Sequence, residues 1–143
     1  MKDYFKLEIK AESKNEAFAR QTVAAFSLAL SPTLEEIGDI KTATSEAVTN
    51  AVVHAYKPSD EGIIVIIGEI DKQENSLSVT VTDFGCGIEN LESALEPFYT
   101  TKPDEERSGM GFTIIDTFSD EMKVDTTLGA GTTVRFKKVF KKC

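Results

Sequence analysis

Glu46 and Asn50 stand four residues apart in the run Ser45-Glu46-Ala47-Val48-Thr49-Asn50-Ala51. In a helix both side chains leave the same side, one turn apart. A carboxylate so placed can act as a general base toward a hydroxyl or a water. The amide oxygen beside it is a hard ligand of the kind Mg²⁺ accepts. A second piece is Asp83-Phe84-Gly85-Cys86-Gly87. Its glycines allow a tight turn and a close approach of backbone to ligand. The Asp83 carboxylate can accept a hydrogen bond from an exocyclic amine such as that of adenine. A third is Ser108-Gly109-Met110-Gly111, directly before an apolar stretch. Glycines that open a helix expose N–H groups at its positive end, which suits an anion. The fourth runs from Thr100-Thr101-Lys102-Pro103 to Arg107. Lys102 and Arg107 can reach phosphates, and Arg107 can stabilise charge during phosphoryl transfer. These residues sit in the long connection from Ile88 to Ser108, and connections of that length are often lids or binding loops.

Each piece alone also has a plainer reading. The first is equally a solvated helix face, and the second an ordinary turn, since Asp and Gly dominate turns. The glycine pair lacks the rest of a dinucleotide fingerprint or a P-loop. Lys102 and Arg107 are equally surface charge. Cys86 reads as a small buried filler.

The elements that must hold these residues follow from periodicity. Phe5, Leu7 and Ile9 alternate with Lys6, Glu8 and Lys10, a half-buried strand. Ser13 with Glu16 reads as a capping box that opens a helix running to about Leu30. Its apolar side is expected to hold Ala17, Phe18, Val23, Ala25 and Phe26. Pro32-Thr33 with Glu36 predicts a second helix, to about Ala55. Ile37, Ile40, Ala47, Val48, Ala51, Val52 and Ala55 share one broad face of it, with Glu46 and Asn50 on the other side. Ile63–Ile70 is a β-branched run, expected to be a buried strand. Leu77, Val79 and Val81 alternate with Ser78, Thr80 and Thr82 in a strand that ends at Asp83. A helix is expected from Gly111 to about Phe118, then strands near Lys123–Thr127 and Thr132–Val139. Strands joined by short turns, with helices grouped apart from them, predict an α+β fold of two layers. Helices cover one face of a mixed, mostly antiparallel sheet. A Rossmann arrangement would alternate strand and helix.

Composition narrows the function. The chain has 143 residues, 41% hydrophobic and 28% charged, which fits a single globular domain over residues 1–143. A net charge of −8 argues against direct nucleic-acid binding, which needs cations against phosphates. Two distant cysteines make neither a disulfide framework nor a metal site. The start has no apolar signal core, and the longest apolar run, Ile63–Ile67, is too short to span a bilayer. A cytoplasmic protein without membrane contact is expected.

In order and spacing the four pieces resemble the GHKL ATPase/kinase superfamily, which includes gyrases and histidine kinases. Glu46 and Asn50 stand at its N box, and Asp83-x-Gly85-x-Gly87 at its first glycine box. Gly109-x-Gly111 stands at the second, and Gly131-Thr132 at the final strand position. Longer runs are similar to the anti-sigma F family of serine kinases from spore-forming bacteria: Asn15 to Arg20, Thr42 to His54, Phe98 to Pro103 and Glu106 to Ile114. The resemblance implies that ATP or ADP binds with Mg²⁺ between the helices and the sheet. It makes Glu46 the general base, Asn50 the Mg²⁺ ligand and Asp83 the reader of the adenine amine, with Gly85, Gly87 and Thr132 around it. Thr101, Lys102, Arg107, Ser108, Gly109, Met110 and Gly111 would surround the phosphates, with Arg107 also catalytic. The implied partners are a sigma F type factor and an anti-anti-sigma factor phosphorylated on serine. A homodimer is implied too. Arg20 falls at the family's position for contact with these protein partners, and Glu16, one turn before it, would be a second contact. The family gives His54 no catalytic role, so it reads as structural. Stress-response anti-sigma B kinases share the same residues. A module that binds ATP without transferring phosphate is the other class, and the retained Glu46 favours a kinase over it.

Overall fold

The computed structural model describes residues 2–56, 61–91, 95 and 111–141. Strand β1 (Asp3–Lys10) leads into helix α1 (Asn15–Ser27), a 3-10 turn (Leu28–Leu30) and helix α2 (Leu34–Asn50). Strands β2 (Ile63–Asp71) and β3 (Ser76–Asp83) follow, then helix α3 (Gly111–Thr117) and strands β4 (Glu121–Thr127) and β5 (Gly131–Val139). The sheet order is β1-β2-β3-β5-β4. Every pairing in it is antiparallel, so the sheet is not mixed. Hairpin-length connections join β2 to β3 and β4 to β5, and such turns demand antiparallel neighbours.

The strands alternate as their sequence requires. Ile64, Ile66 and Ile70 of β2, Leu77, Val79 and Val81 of β3, and Val134 and Phe136 of β5 are buried. Against them lie Ala19 and Val23 of α1, Ile40, Ala43, Ala47 and Val48 of α2, and Phe112 and Ile115 of α3. Phe5 meets Phe26 edge-on, with ring centroids 4.9 Å apart, closing the β1 end of the core. The expected buried strand β2 is buried on its helix-facing side only. Ile63 is exposed, and Val65 and Ile67 are half-buried, because only one face of the sheet is covered by helices.

Helix α2 begins as predicted. Thr33 accepts from the Glu36 N–H at 3.1 Å, and the Glu36 carboxylate accepts from the Thr33 N–H at 2.9 Å. Its last turn, Ala51–Ala55, is wound wider, as a π-helix. Helix α1 departs from expectation. No side chain caps it; the Glu16 N–H reaches the Ser13 backbone carbonyl, and the Glu16 carboxylate pairs with Arg20 instead. It ends at Ser27, where the chain tightens into the 3-10 turn and reverses at Ser31, whose φ is 49°. Its core face is Ala19, Val23, Ala24 and Ser27, while Ala17, Phe18 and Ala25 are exposed. Alanines fit either side of a helix, so the apolar letters alone do not fix its rotation.

Candidate active site

The site is built on the helix-facing side of the sheet, at one end of the strands. Register puts Ile9, Ile64, Asp83, Thr132 and Thr126 in one row across the five strands. The row is apolar over β1 and β2 and polar over β3, β5 and β4. Asp83 is buried, and its Oδ1 accepts two backbone N–H groups at 3.1 Å, from Gly85 and Thr132. Burial pushes its carboxyl above the ordinary range; the two amide bonds oppose that shift without cancelling it. Both bonds fall on Oδ1, which leaves Oδ2 as the acceptor for an incoming amine. Thr132 and Thr126 share a hydroxyl–hydroxyl bond of 2.9 Å. Thr126 Oγ1 also accepts the Ile88 N–H at 2.8 Å and donates weakly to the Gly131 carbonyl at 3.3 Å.

The glycines are required by contact. A Cβ on Gly85 would lie 2.0 Å from the Ala55 carbonyl oxygen, so the turn after β3 rests directly on the end of α2. Gly87 adopts a φ of 77° and lies against the Thr127 backbone. The Cys86 N–H donates to the Ala55 carbonyl at 3.0 Å, and the Gly129 N–H donates to the Cys86 carbonyl at 2.8 Å. Cys86 is exposed, contrary to its reading as a buried filler. The turn that carries it runs along the surface, held by its backbone. Its thiol lies 3.5 Å from the His54 carbonyl and 3.3 Å from that of Gly87.

Helix α2 carries two further candidates. Glu46 and Asn50 are both half-buried, off the face that carries Ala43, Ala47 and Val48. A Cβ on Gly111 would come within 3.3 Å of both amide atoms of Asn50. The glycine that opens α3 therefore lies against that amide, where a methyl would press on it by a few tenths of an ångström. Gly111 is buried, so the contact lies inside the domain. Asn50 keeps helical backbone angles and makes no side-chain capping bond where the π-turn begins. A buried carboxylate with a spare oxygen at the end of β3 suits an adenine amine, and the Asn50 amide oxygen suits a hard divalent cation.

The structure joins Asp83, Gly85 and Thr132 by hydrogen bonds, sets Gly87 against Thr127, and sets Gly111 against Asn50, with Glu46 one turn before Asn50 on α2. Thr101, Lys102, Arg107, Ser108, Gly109 and Met110 lie outside the described residues. Glu16 and Arg20 lie on α1, away from this pocket, and pair with each other at 3.1 Å. Sequence reasoning missed Thr126 and Tyr56. Thr126 enters only through its pairing with Thr132, and Tyr56 only through the bend that follows the π-turn.

Comparison with known proteins defines the class. The model of the histidine kinase-like ATPase domain matches residues 9–138. A protein of Clostridium beijerinckii described as an anti-sigma F factor is 50% identical over 94% of this chain and 92% of its own length. One of Clostridium perfringens with the same description is 53% identical over 96% of this chain and 97% of its own. A crystal structure of the RsbU and RsbW domains of a Mycobacterium tuberculosis protein superposes with a TM-score of 0.71. It covers 99% of this chain at 18% identity, and the match spans 33% of that longer chain, a likeness of fold. The chain belongs to the histidine kinase-like ATPase family and, within it, to the anti-sigma F factors. No helix among the described residues is long and apolar enough to cross a membrane.

Proposed function

We propose that this chain is a cytoplasmic anti-sigma factor and an ATP-dependent protein serine kinase. It binds a sigma factor of the F type and phosphorylates a serine of an anti-anti-sigma factor. The observation that carries the reading is that Asn50 of α2 lies against Gly111 while the turn beside the buried Asp83 rests on the end of the same helix, so that α2 and this turn would be the two walls of one pocket. The relatives' shared description supports the sigma partner.

Asp83 would accept from the adenine amine, with Gly85, Gly87 and Thr132 shaping that end. Asn50 would hold Mg²⁺. No group of three or more His, Cys, Asp or Glu converges among the described residues, and Mg²⁺ typically keeps several waters and few protein ligands. Thr101, Lys102, Arg107, Ser108, Gly109, Met110 and Gly111 would line the phosphates, with Arg107 steadying the charge that develops there. Bound ATP supplies the phosphoryl group. Glu46 takes the proton of the acceptor serine hydroxyl, so that its oxygen becomes the nucleophile. Glu16 and Arg20 would meet the partner, and the chain would act as a homodimer.

The test is incubation with labelled ATP, Mg²⁺ and the candidate anti-anti-sigma protein, followed by mapping of the labelled site. The wild-type chain labels one serine. Glu46→Ala still takes up nucleotide but labels at least about 100-fold more slowly, the usual share of a general base. Undiminished labelling by Glu46→Ala rules out this mechanism. The copurifying sigma factor, identified by pull-down, separates the F type from the stress-response type.

A further inference from the structure

The last pair of the β2–β3 ladder is Ile64 with Asp83, and the register would next bring Ile63 opposite Phe84. A side chain from the end of α2 stands between them instead. The Tyr56 hydroxyl donates to the Ile63 carbonyl at 2.6 Å and accepts the Phe84 N–H at 2.8 Å. Its ring lies over Gly62, where a Cβ would fall 2.5 Å from the ring carbons. Tyr56 thus holds the two strands apart at the point where β3 must leave the sheet.

Three successive amides of the departing turn then have separate acceptors. Phe84 gives to the Tyr56 hydroxyl, Gly85 to Asp83 Oδ1 and Cys86 to the Ala55 carbonyl. Two of the three acceptors belong to the residues that end α2, the helix that also carries Glu46 and Asn50. The two walls of the pocket are therefore joined at Ala55 and Tyr56. Of these two anchors, only the Tyr56 hydroxyl is a side-chain group that substitution can remove.

We propose that Tyr56 is a positioning residue for the adenine end of the pocket. Its hydroxyl fixes the turn from Phe84 to Cys86, and so the direction of the Asp83 carboxylate, without touching the nucleotide. The inference rests on the adenine-nucleotide reading of the site. A phenylalanine keeps the ring over Gly62 but can neither donate to Ile63 nor accept from Phe84. With both groups unpaired, the turn is free to shift toward direct strand pairing, which moves Asp83.

The test compares wild type with Tyr56→Phe by titration with a fluorescent adenine nucleotide and Mg²⁺, and by amide hydrogen exchange at Phe84. In Tyr56→Phe the dissociation constant is expected to rise about tenfold, the loss of roughly one hydrogen bond. In phosphoryl transfer, KM for ATP rises by a like factor while kcat at saturation stays within about threefold, the pattern of lost uniform binding. The Phe84 amide is expected to be protected in wild type and to exchange faster in the variant. An unchanged dissociation constant in a folded Tyr56→Phe overturns the inference and leaves the proposed function intact. A fall in kcat with KM unchanged also overturns it. Should the variant not fold, rapid exchange of the wild-type Phe84 amide overturns it instead. A wild-type chain that takes up no adenine nucleotide removes both readings together.

Discussion

Asp83 combines two demands that oppose each other. In the proposed adenine pocket its carboxylate must be desolvated to select an amine donor, yet desolvation disfavours its charge. Its folded pKa is raised, so the stability it withholds grows as pH rises from the ordinary carboxylate range through that raised value. Asp83→Asn removes the charge and keeps an oxygen for the Gly85 and Thr132 amides. The variant is expected to melt at neutral pH no lower than wild type. Its NH₂ would face the adenine amine donor to donor, so nucleotide affinity is expected to fall at least about tenfold. Calorimetric melting and nucleotide titration check the two halves separately. A variant that binds as tightly as wild type removes Asp83 as the adenine reader. Asp83 was legible in the sequence because a strand alternation stops at it and glycines follow. Thr126 and Tyr56 were not, because a hydroxyl in a strand or after a helix gains its role from what tertiary pairing sets beside it.

Among the elements, α2 does the most positioning. Its capping box fixes where it starts, its apolar face sets its rotation on the sheet, and its wide last turn delivers the Ala55 carbonyl to the glycine turn. That contact has no slack. Gly85→Ala would place a methyl 2.0 Å from a backbone oxygen, and backbone cannot move aside as a flexible side chain can. The expected cost is about 2 kcal/mol of stability, with weakened nucleotide binding, measured by denaturant unfolding and titration. Wild-type stability in that variant would mean that the turn and the helix end do not touch. Periodicity, capping signals and the β-branched run together located the helices and strands named above, and periodicity oriented α2, β1 and β3. It failed on α1, where Ala17, Phe18 and Ala25 were assigned to the core and lie in solvent. The difference lies in the side chains available. Alternation in a strand has only two faces to choose between, whereas a helix rich in alanine can turn by a whole residue and still bury small apolar groups.

At the scale of the molecule, the chain's last strand returns to the cap of α2. Glu36 uses both carboxylate oxygens there: one accepts the Thr33 N–H, the other the Lys141 N–H at 2.9 Å. Lys138 pairs with Asp39 at 2.9 Å, one turn further along. Phe140 is buried, and its N–H and carbonyl are both bonded to Asn75. Burial alone would raise the Glu36 pKa. The hydrogen bonds from Thr33 and Lys141, helped by the Lys138 charge, outweigh it and leave the group below its ordinary value. The stability it contributes is then complete above the ordinary carboxylate range and is lost as pH falls through the depressed value. Glu36→Gln can satisfy only one of the two amides and sets an NH₂ against the other. It is expected to cost about 2 kcal/mol at neutral pH, with the gap to wild type closing in acid, followed by urea unfolding across pH. A gap that persists unchanged below the ordinary carboxylate range would contradict this origin.

Synthesis runs from the N-terminal side, so Lys141, which completes the α2 cap, is made long after Glu36. A ribosome must carry the chain past Lys141, and the exit tunnel must then release that stretch, before Glu36 has its second amide. The sheet lacks β5, and Asp83 its Thr132 partner, until almost the same moment. Glu36 and Asp83 therefore both gain a hydrogen-bond partner only after the stretch from Thr132 to Lys141 has left the tunnel.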